Sequence, residues 1–285
     1  MPGALFDLTT VARNRVRARG CRDSAMFLQN RAIHQVSERL SEINKSFTSV
    51  AVVTPFAELW QAALPGAVMI QPDETLELAE QSFDLIVHAL NLHWSNDPVG
   101  QLIQCRRALR PDGLLLAVLF GGQSLSELRA SLAEAESQLT GGLSPRVSPM
   151  AEMRDLGGLL GRAGLALTVA DCDTVSVTYE TFFALLADLR AMGETNALTT
   201  RRKNFTARGL FDLAAELYAA NFATKGNRLA ATADMIYLTG WAPSATQPQP
   251  LRPGSAKTRL ADALGVEEMQ AEGAVYPSPK DRAPK

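Results

Sequence analysis

Cysteine, histidine and net charge are all scarce in this chain, and each scarcity removes a class of function. Only three of the 285 residues are cysteines and only three are histidines. Cys21, Cys105 and Cys172 are odd in number and far apart, which suggests reduced thiols in a cytoplasmic compartment and gives no metal-ligand spacing. His34, His88 and His93 make no ligand cluster either, so no metal site is expected. The formal net charge is −2, and no basic patch is interleaved with aromatics, which argues against nucleic acid as a partner. No apolar run reaches membrane-spanning length, so no transmembrane segment is expected. Glycine-rich phosphate loops, Ser-His-Asp orders and paired-carboxylate motifs are also missing. An apolar content of 46% then leaves an ordinary globular core.

The most informative stretch runs from Phe83 to Gly122. Phe83 to Ala89 is apolar except at Asp84 and His88, too short for a helix, and reads as a strand buried on both faces. Asp97 and Pro98 open a helix as cap and first-turn residue, with Val99, Leu102, Ile103 and Leu109 facing inward. Arg106, Arg107 and Arg110 place positive charge near its C-terminus. Pro111-Asp112-Gly113 predicts a tight turn, and Leu114 to Phe120 a second buried strand ending in Gly121-Gly122. Strand, helix, turn and strand form a right-handed crossover unit.

On either side the periodicities define further elements. Arg13, Arg15, Arg17, Arg19 and Arg22 mark a basic N-terminal helical arm, solvated on one side; in a eukaryotic chain the same pattern reads as a transit peptide. Phe27, Ile33, Val36, Leu40 and Ile43 give a second helix, packed across the sheet or over a cleft. Residues 49–53 form the first strand, 56–64 a helix and 67–70 a strand. The turn after the first strand, Thr54-Pro55-Phe56, has no glycine, although close approach of backbone N–H groups to a nucleotide favours glycine there. Asp73 and Glu74 follow the second strand, Asp73 as a ligand-binding acid or both as a solvated turn capping a helix over 75–79. Helices are expected over 124–139, 150–163, 182–192 and 211–222. Strand material is expected over 165–178, broken at Asp171-Cys172-Asp173, and over 235–241 as an edge hairpin strand. Residues 242–285 read as a Pro-rich, mostly disordered tail with a short docking helix over 258–264.

Specific motifs carry a resemblance. The stretch FDLIV, the triplet Leu92-His93-Trp94 and the run from Arg107 to Gly113 resemble the fourth and fifth strands of class I S-adenosylmethionine-dependent methyltransferases. Phe120-Gly121-Gly122, the loop from Gly141 to Pro149, Arg154-Asp155-Leu156-Gly157, Met192 to Asn196 and Tyr237 to Trp241 are similar to bacterial relatives of the mitochondrial respiratory complex I assembly-factor methyltransferases. The resemblance covers roughly residues 5 to 243. It implies a Rossmann-like α/β sheet, here shortened in the cofactor half because only one crossover fits between the first strand and Phe83. It further implies an arm over 1–45, a domain over 46–241 with cap insertions at 123–150 and 179–232, and the tail.

S-adenosylmethionine is the cofactor that the resemblance implies, weakly bound or lost because the glycines are absent. The mouth of the sheet would offer Thr54, Pro55, Asp73, Ala89, Leu90, Asn91 and Trp94 to it. His93, just past the buried strand, is the candidate general base, or else a packed histidine beside Trp94. Arg146, Ser148, Glu194 and Asn196 are candidates for substrate or partner contact, with Arg146 alternatively satisfying loop carbonyls. Three functions follow: a working methyltransferase or protein hydroxylase, a non-catalytic assembly factor for a respiratory complex I subunit, or a carrier-protein methyltransferase relative. A cytoplasmic location is expected in a bacterium and the mitochondrial matrix in a eukaryote.

Overall fold

Alternate residues of four neighbouring strands belong to two different cores, and that alternation organises the computed structural model. The structure describes residues 3–20, 23–248, 258, 264 and 265. In chain order these are α1 (Leu8–Arg19), α2 (Phe27–Glu42), β1 (Val50–Val53), α3 (Ala57–Ala63), β2 (Val68–Ile70), β3 (Phe83–Ala89), α4 (Pro98–Ala108) and β4 (Leu109–Gly121). They continue with α5 (Ser126–Thr140), α6 (Met153–Arg162), β5 (Ala166–Tyr179), α7 (Phe182–Ala191), α8 (Arg208–Phe222) and β6 (Leu229–Trp241). All these elements lie in one unit, Met1–Ala245; Thr246–Lys285 forms a second, of which six residues are described. The expected tail helix falls almost wholly outside the described residues, as do Cys21 and Arg22.

The sheet order is β2-β1-β3-β4-β6-β5, with the first four strands parallel and β6 antiparallel to both neighbours. Val52, Leu85, Val87, Leu114, Leu116 and Val118 face a core shared with α2, α5, α7 and α8. Ala51, Ile86, Leu115, Ala117 and Leu119 face the opposite core, covered by α4 and α6. This is the expected Rossmann-like α/β sheet, with a single strand between β1 and β3. The neighbours of β1 lie on opposite sides of it, so the carboxyl ends of β1 and β3 flank the switch point where such sheets bind ligands.

Several expectations need correction. No turn interrupts Pro111-Asp112-Gly113; β4 begins at Leu109, and a register shift against β3 absorbs the left-handed Asp112 (φ 63°) as a bulge. Residues 75–79 form no helix, because Leu76 is pulled inward with its N–H donated to Gln104 Oε1 at 2.7 Å. β5 runs unbroken through Asp171-Cys172-Asp173. Those acids are accommodated because Arg39 of α2 pairs with Asp171, and Arg31 with Asp173 at 2.6 Å. β6 is an inner strand rather than an edge hairpin, with β5 at the edge. The helix expected from 150 starts at Met153, and the one expected from 211 starts at Arg208.

His88 ties the core to the site. Its ring is fully buried, with Nε2 2.8 Å from Gln101 Oε1, and Gln101 Nε2 donates to the Asp73 carbonyl at 2.8 Å. Burial pushes the imidazole down to about 4, partly offset by the Gln101 hydrogen bond. Unfolded, the ring titrates near its ordinary 6.5, so the unfolded chain takes up the proton first as pH falls. Unfolding free energy is expected to drop between about pH 6.5 and pH 4, by up to roughly 3 kcal/mol. Urea titrations across that range check it, and an H88L/Q101L variant should lack this part of the slope. Gly121 is a second sensitive point: an added Cβ would meet the Ile236 side chain and lie 2.8 Å from the Ala151 carbonyl oxygen. Gly121→Val is expected to lose about 2–3 kcal/mol in the same assay.

Candidate functional site

The site is built on the carboxyl ends of β1, β2, β3 and β4. Thr54 follows β1 and is fully buried. Its N–H donates to the Ile70 carbonyl at 3.0 Å, and its Oγ1 accepts from the Phe56 N–H at 3.1 Å. Pro55 has no N–H. Every backbone donor of this turn is therefore spent within the protein. The Pro55 carbonyl is in turn covered by Arg19 of α1, with Nη2 at 3.0 Å.

Arg15, one α1 turn before Arg19, is buried at 3% exposure. It donates to the Leu90 carbonyl and to the Met192 carbonyl, both at 3.1 Å, and pairs with Glu194 Oε1 at 2.7 Å. Leu90 makes this reach possible by turning the chain out of β3 in a left-handed conformation (φ 45°) that non-glycine residues rarely adopt. Gly193 (φ 78°) does the same on the other side, because a Cβ there would press on Ala18 and Arg15 at 3.2 Å. The N-terminal arm is thus only partly the solvated basic helix that its composition suggests.

Between α1 and the strand ends lies a cleft of about 230 Å³, lined by Arg15, Arg19, Pro55, Asp73, Asn91 and Trp94 among others. Four of the seven expected cofactor-binding residues, Pro55, Asp73, Asn91 and Trp94, meet here. Thr54 and Ala89 are sealed in the core, and Leu90 contributes only the carbonyl that holds Arg15. The cleft is smaller than the roughly 300 Å³ at which small-molecule sites begin. The β1 turn has no free N–H to offer S-adenosylmethionine, which leaves Asp73 and Asn91 among the polar groups facing it.

A larger cavity of about 480 Å³ lies beyond Trp94, walled by α5, α7 and the loops over 144–150 and 192–196. His93, Trp94, Arg146, Ser148, Glu194 and Asn196 all line it, so all the expected catalytic and substrate or partner positions converge here. Glu194 forms the partition between cavity and cleft. Its Oε2 accepts from Trp94 Nε1 at 2.8 Å and lies 3.2 Å from His93 Nε2, while Oε1 takes Arg15. Burial alone would raise the Glu194 carboxyl; Arg15, then His93 and Trp94, outweigh it and hold it down to about 2. His93 also stacks edge-on against Phe120 at 5.1 Å. Asn196 donates to the Pro145 carbonyl at 2.8 Å, joining the two loops.

Arg146 lines the cavity with its guanidinium engaged by other side chains. Its guanidinium forks onto the buried Glu136, with Nη2 to Oε1 at 2.7 Å and Nε to Oε2 at 3.1 Å, and reaches no loop carbonyl. Arg15, Glu136 and Arg190 are site residues that composition did not reveal. For Arg15 a signal existed, since Val11, Asn14 and Ala18 share its helical face and are buried with it. Among the described residues no group of three or more metal-ligating side chains occurs, and no helix is long and apolar enough to cross a membrane.

A methyltransferase-domain family model matches residues 33–117. The mitochondrial arginine-hydroxylase NDUFAF5 of Danio rerio is 35% identical over 209 residues, covering 73% of this chain and 65% of that protein. The malonyl-[acyl-carrier protein] O-methyltransferase of Xylella fastidiosa is 37% identical over 180 residues, covering 63% of this chain and 59% of its own length. The chain thus spans less than two thirds of the curated relatives it matches. A Bacillus halodurans protein assigned as a methyltransferase superposes with a TM-score of 0.47 at 12% identity, over 74% of this chain and 99% of its own. On these sequence matches the chain belongs to the class I S-adenosylmethionine-dependent methyltransferase superfamily, as a relative of NDUFAF5.

Proposed function

We propose that this methyltransferase-family chain acts on a protein partner during assembly of respiratory complex I, receiving a segment of that partner in the cap-covered cavity. One observation carries the reading: the acceptor-side cavity is about twice the size of the cofactor cleft, and Glu194 and Arg15 seal the two apart. Relatives named arginine-hydroxylase support a protein target. Hydroxylation of an arginine by this chain has less support, because a bound guanidinium needs an available acid. The only acidic residue lining the cavity, Glu194, is already paired with Arg15. His93 and Trp94 then position Glu194 and close the floor of the cavity, and the chain's action is to hold and shield an apolar segment.

A second reading keeps S-adenosylmethionine in the cleft and transfers a methyl group to that partner. Asn91 favours it: its buried Oδ1 has no hydrogen-bond partner, and Asp73 stands at the end of β2 where a hydroxyl-binding acid is useful. Calorimetric titration with S-adenosylmethionine and S-adenosylhomocysteine, on the native chain and on Asp73→Ala, separates the two. The expected outcome is no heat at millimolar ligand, with co-purification of a complex I subunit. Micromolar binding weakened by Asp73→Ala would establish the second reading instead.

The seal itself is testable. Glu194→Gln leaves Arg15 buried without its counter-charge, and a loss of about 3–4 kcal/mol is expected from urea unfolding, with most of it regained in an R15M/E194L double variant. In the native chain the paired carboxylate contributes fully above about pH 4.5, and its contribution should vanish as pH falls towards 2.

A further inference from the structure

We propose that the cap-covered cavity selects an apolar body carrying an anionic head group and turns away a cationic one. The walls are apolar: Leu28, Phe120, Leu128, Leu132, Leu186 and Phe211 are among the residues that line it. Its charged lining is lopsided, with four arginines, Arg146, Arg190, Arg201 and Arg202, against the single Glu194.

Pairing inside the protein does not cancel this imbalance. Glu194 is consumed by Arg15, and Arg201 by Asp7 at 2.9 Å. Glu136 is shared between Arg146 at 2.7 Å and Arg202 at 3.3 Å, so two cations face one carboxylate. Arg190 has no acidic partner among the described residues. One positive charge therefore remains from the Glu136 cluster and one from Arg190, both at the wall of an apolar space. A cationic ligand would meet uncompensated like charge there, whereas a carboxylate would complete the cluster with charge-assisted hydrogen bonds. Ser148 adds a polar feature, since its buried Oγ has no hydrogen-bond partner.

Two sources share this chemistry: a free amphipathic acid, and an apolar partner segment bearing an acidic side chain. Only the second source rests on the proposed function; the charge selection follows from the lining alone. The test titrates the full chain, below micelle concentrations, with dodecanoate and dodecyltrimethylammonium. A matched pair of acetylated tri-leucine peptides, ending in aspartate or in arginine amide, forms the second arm. The acid of at least one pair is expected to bind about tenfold tighter than its cation. Arg190 and Arg202 are exposed, so an R190S/R202S variant should fold normally and lose most of that preference. Leu132→Trp, which fills the cavity, should abolish binding of both members of the pair. A preference for dodecanoate assigns a free acid, a preference confined to the aspartate peptide assigns a partner segment, and both confirm the shared chemistry. Equal or tighter binding of the cations, an unchanged preference in R190S/R202S, or no binding at all overturns the proposal. Failure to co-purify a respiratory subunit, with the acid preference intact, would overturn the proposed function alone.

Discussion

A single buried ion pair, Arg15 to Glu194, joins three parts of the fold that lie far apart in sequence. Arg15 comes from α1, Glu194 from the segment after α7, and the carbonyl of Leu90 that completes the guanidinium's contacts comes from the end of β3. A pair this deep is costly to desolvate and holds only when its remaining donors and acceptors are also met. Here they largely are: Glu194 takes three side-chain partners, and Arg15 adds two carbonyls and a cation–π contact with Phe56 at 5.5 Å. The left-handed Leu90 and Gly193 are the backbone consequences of bringing these groups together.

Much of the architecture is legible in sequence because period and capping act locally. Asp97 caps α4 through the Gly100 N–H as its position implies, and the apolar runs of β3 and β4 are buried on both faces. The misread elements are those decided by distant partners. Asp171 and Asp173 look like a strand break until Arg39 and Arg31 of α2 lie over them. Pro111 to Gly113 looks like a tight turn until β3 pairs on both sides of the bulge. The place of β6 inside the sheet depends on topology that no local pattern encodes.

The site divides the same way. Its location at the strand ends follows from fold class, so His93, Trp94, Asp73 and Asn91 can be placed beside the cavity and cleft without coordinates. Arg15 is hidden among five arginines whose count speaks for a solvated helix, and only its spacing from Val11 and Ala18 distinguishes it. Arg146 is found, but its role is set by Glu136, a helical glutamate that nothing in the sequence marks as buried.

The small size of the cleft has its origin in the shortened half of the sheet. With no helix between β2 and β3, residues 71–74 run directly beneath α1, and Gln101 fixes them through the Asp73 carbonyl. α1 can then settle on the β1 turn, where Arg19 caps Pro55 and Arg15 reaches through to Glu194. Restoring a glycine at Pro55 would return one N–H, yet the Phe56 N–H would still be held by Thr54 and the cleft still roofed by two arginines. Widening the cleft would need changes in the turn, in α1 and in the length of the β2–β3 connection together. The cavity on the other side of Glu194 shares only that partition with α1, and its apolar walls come from α2, α5, α7 and α8.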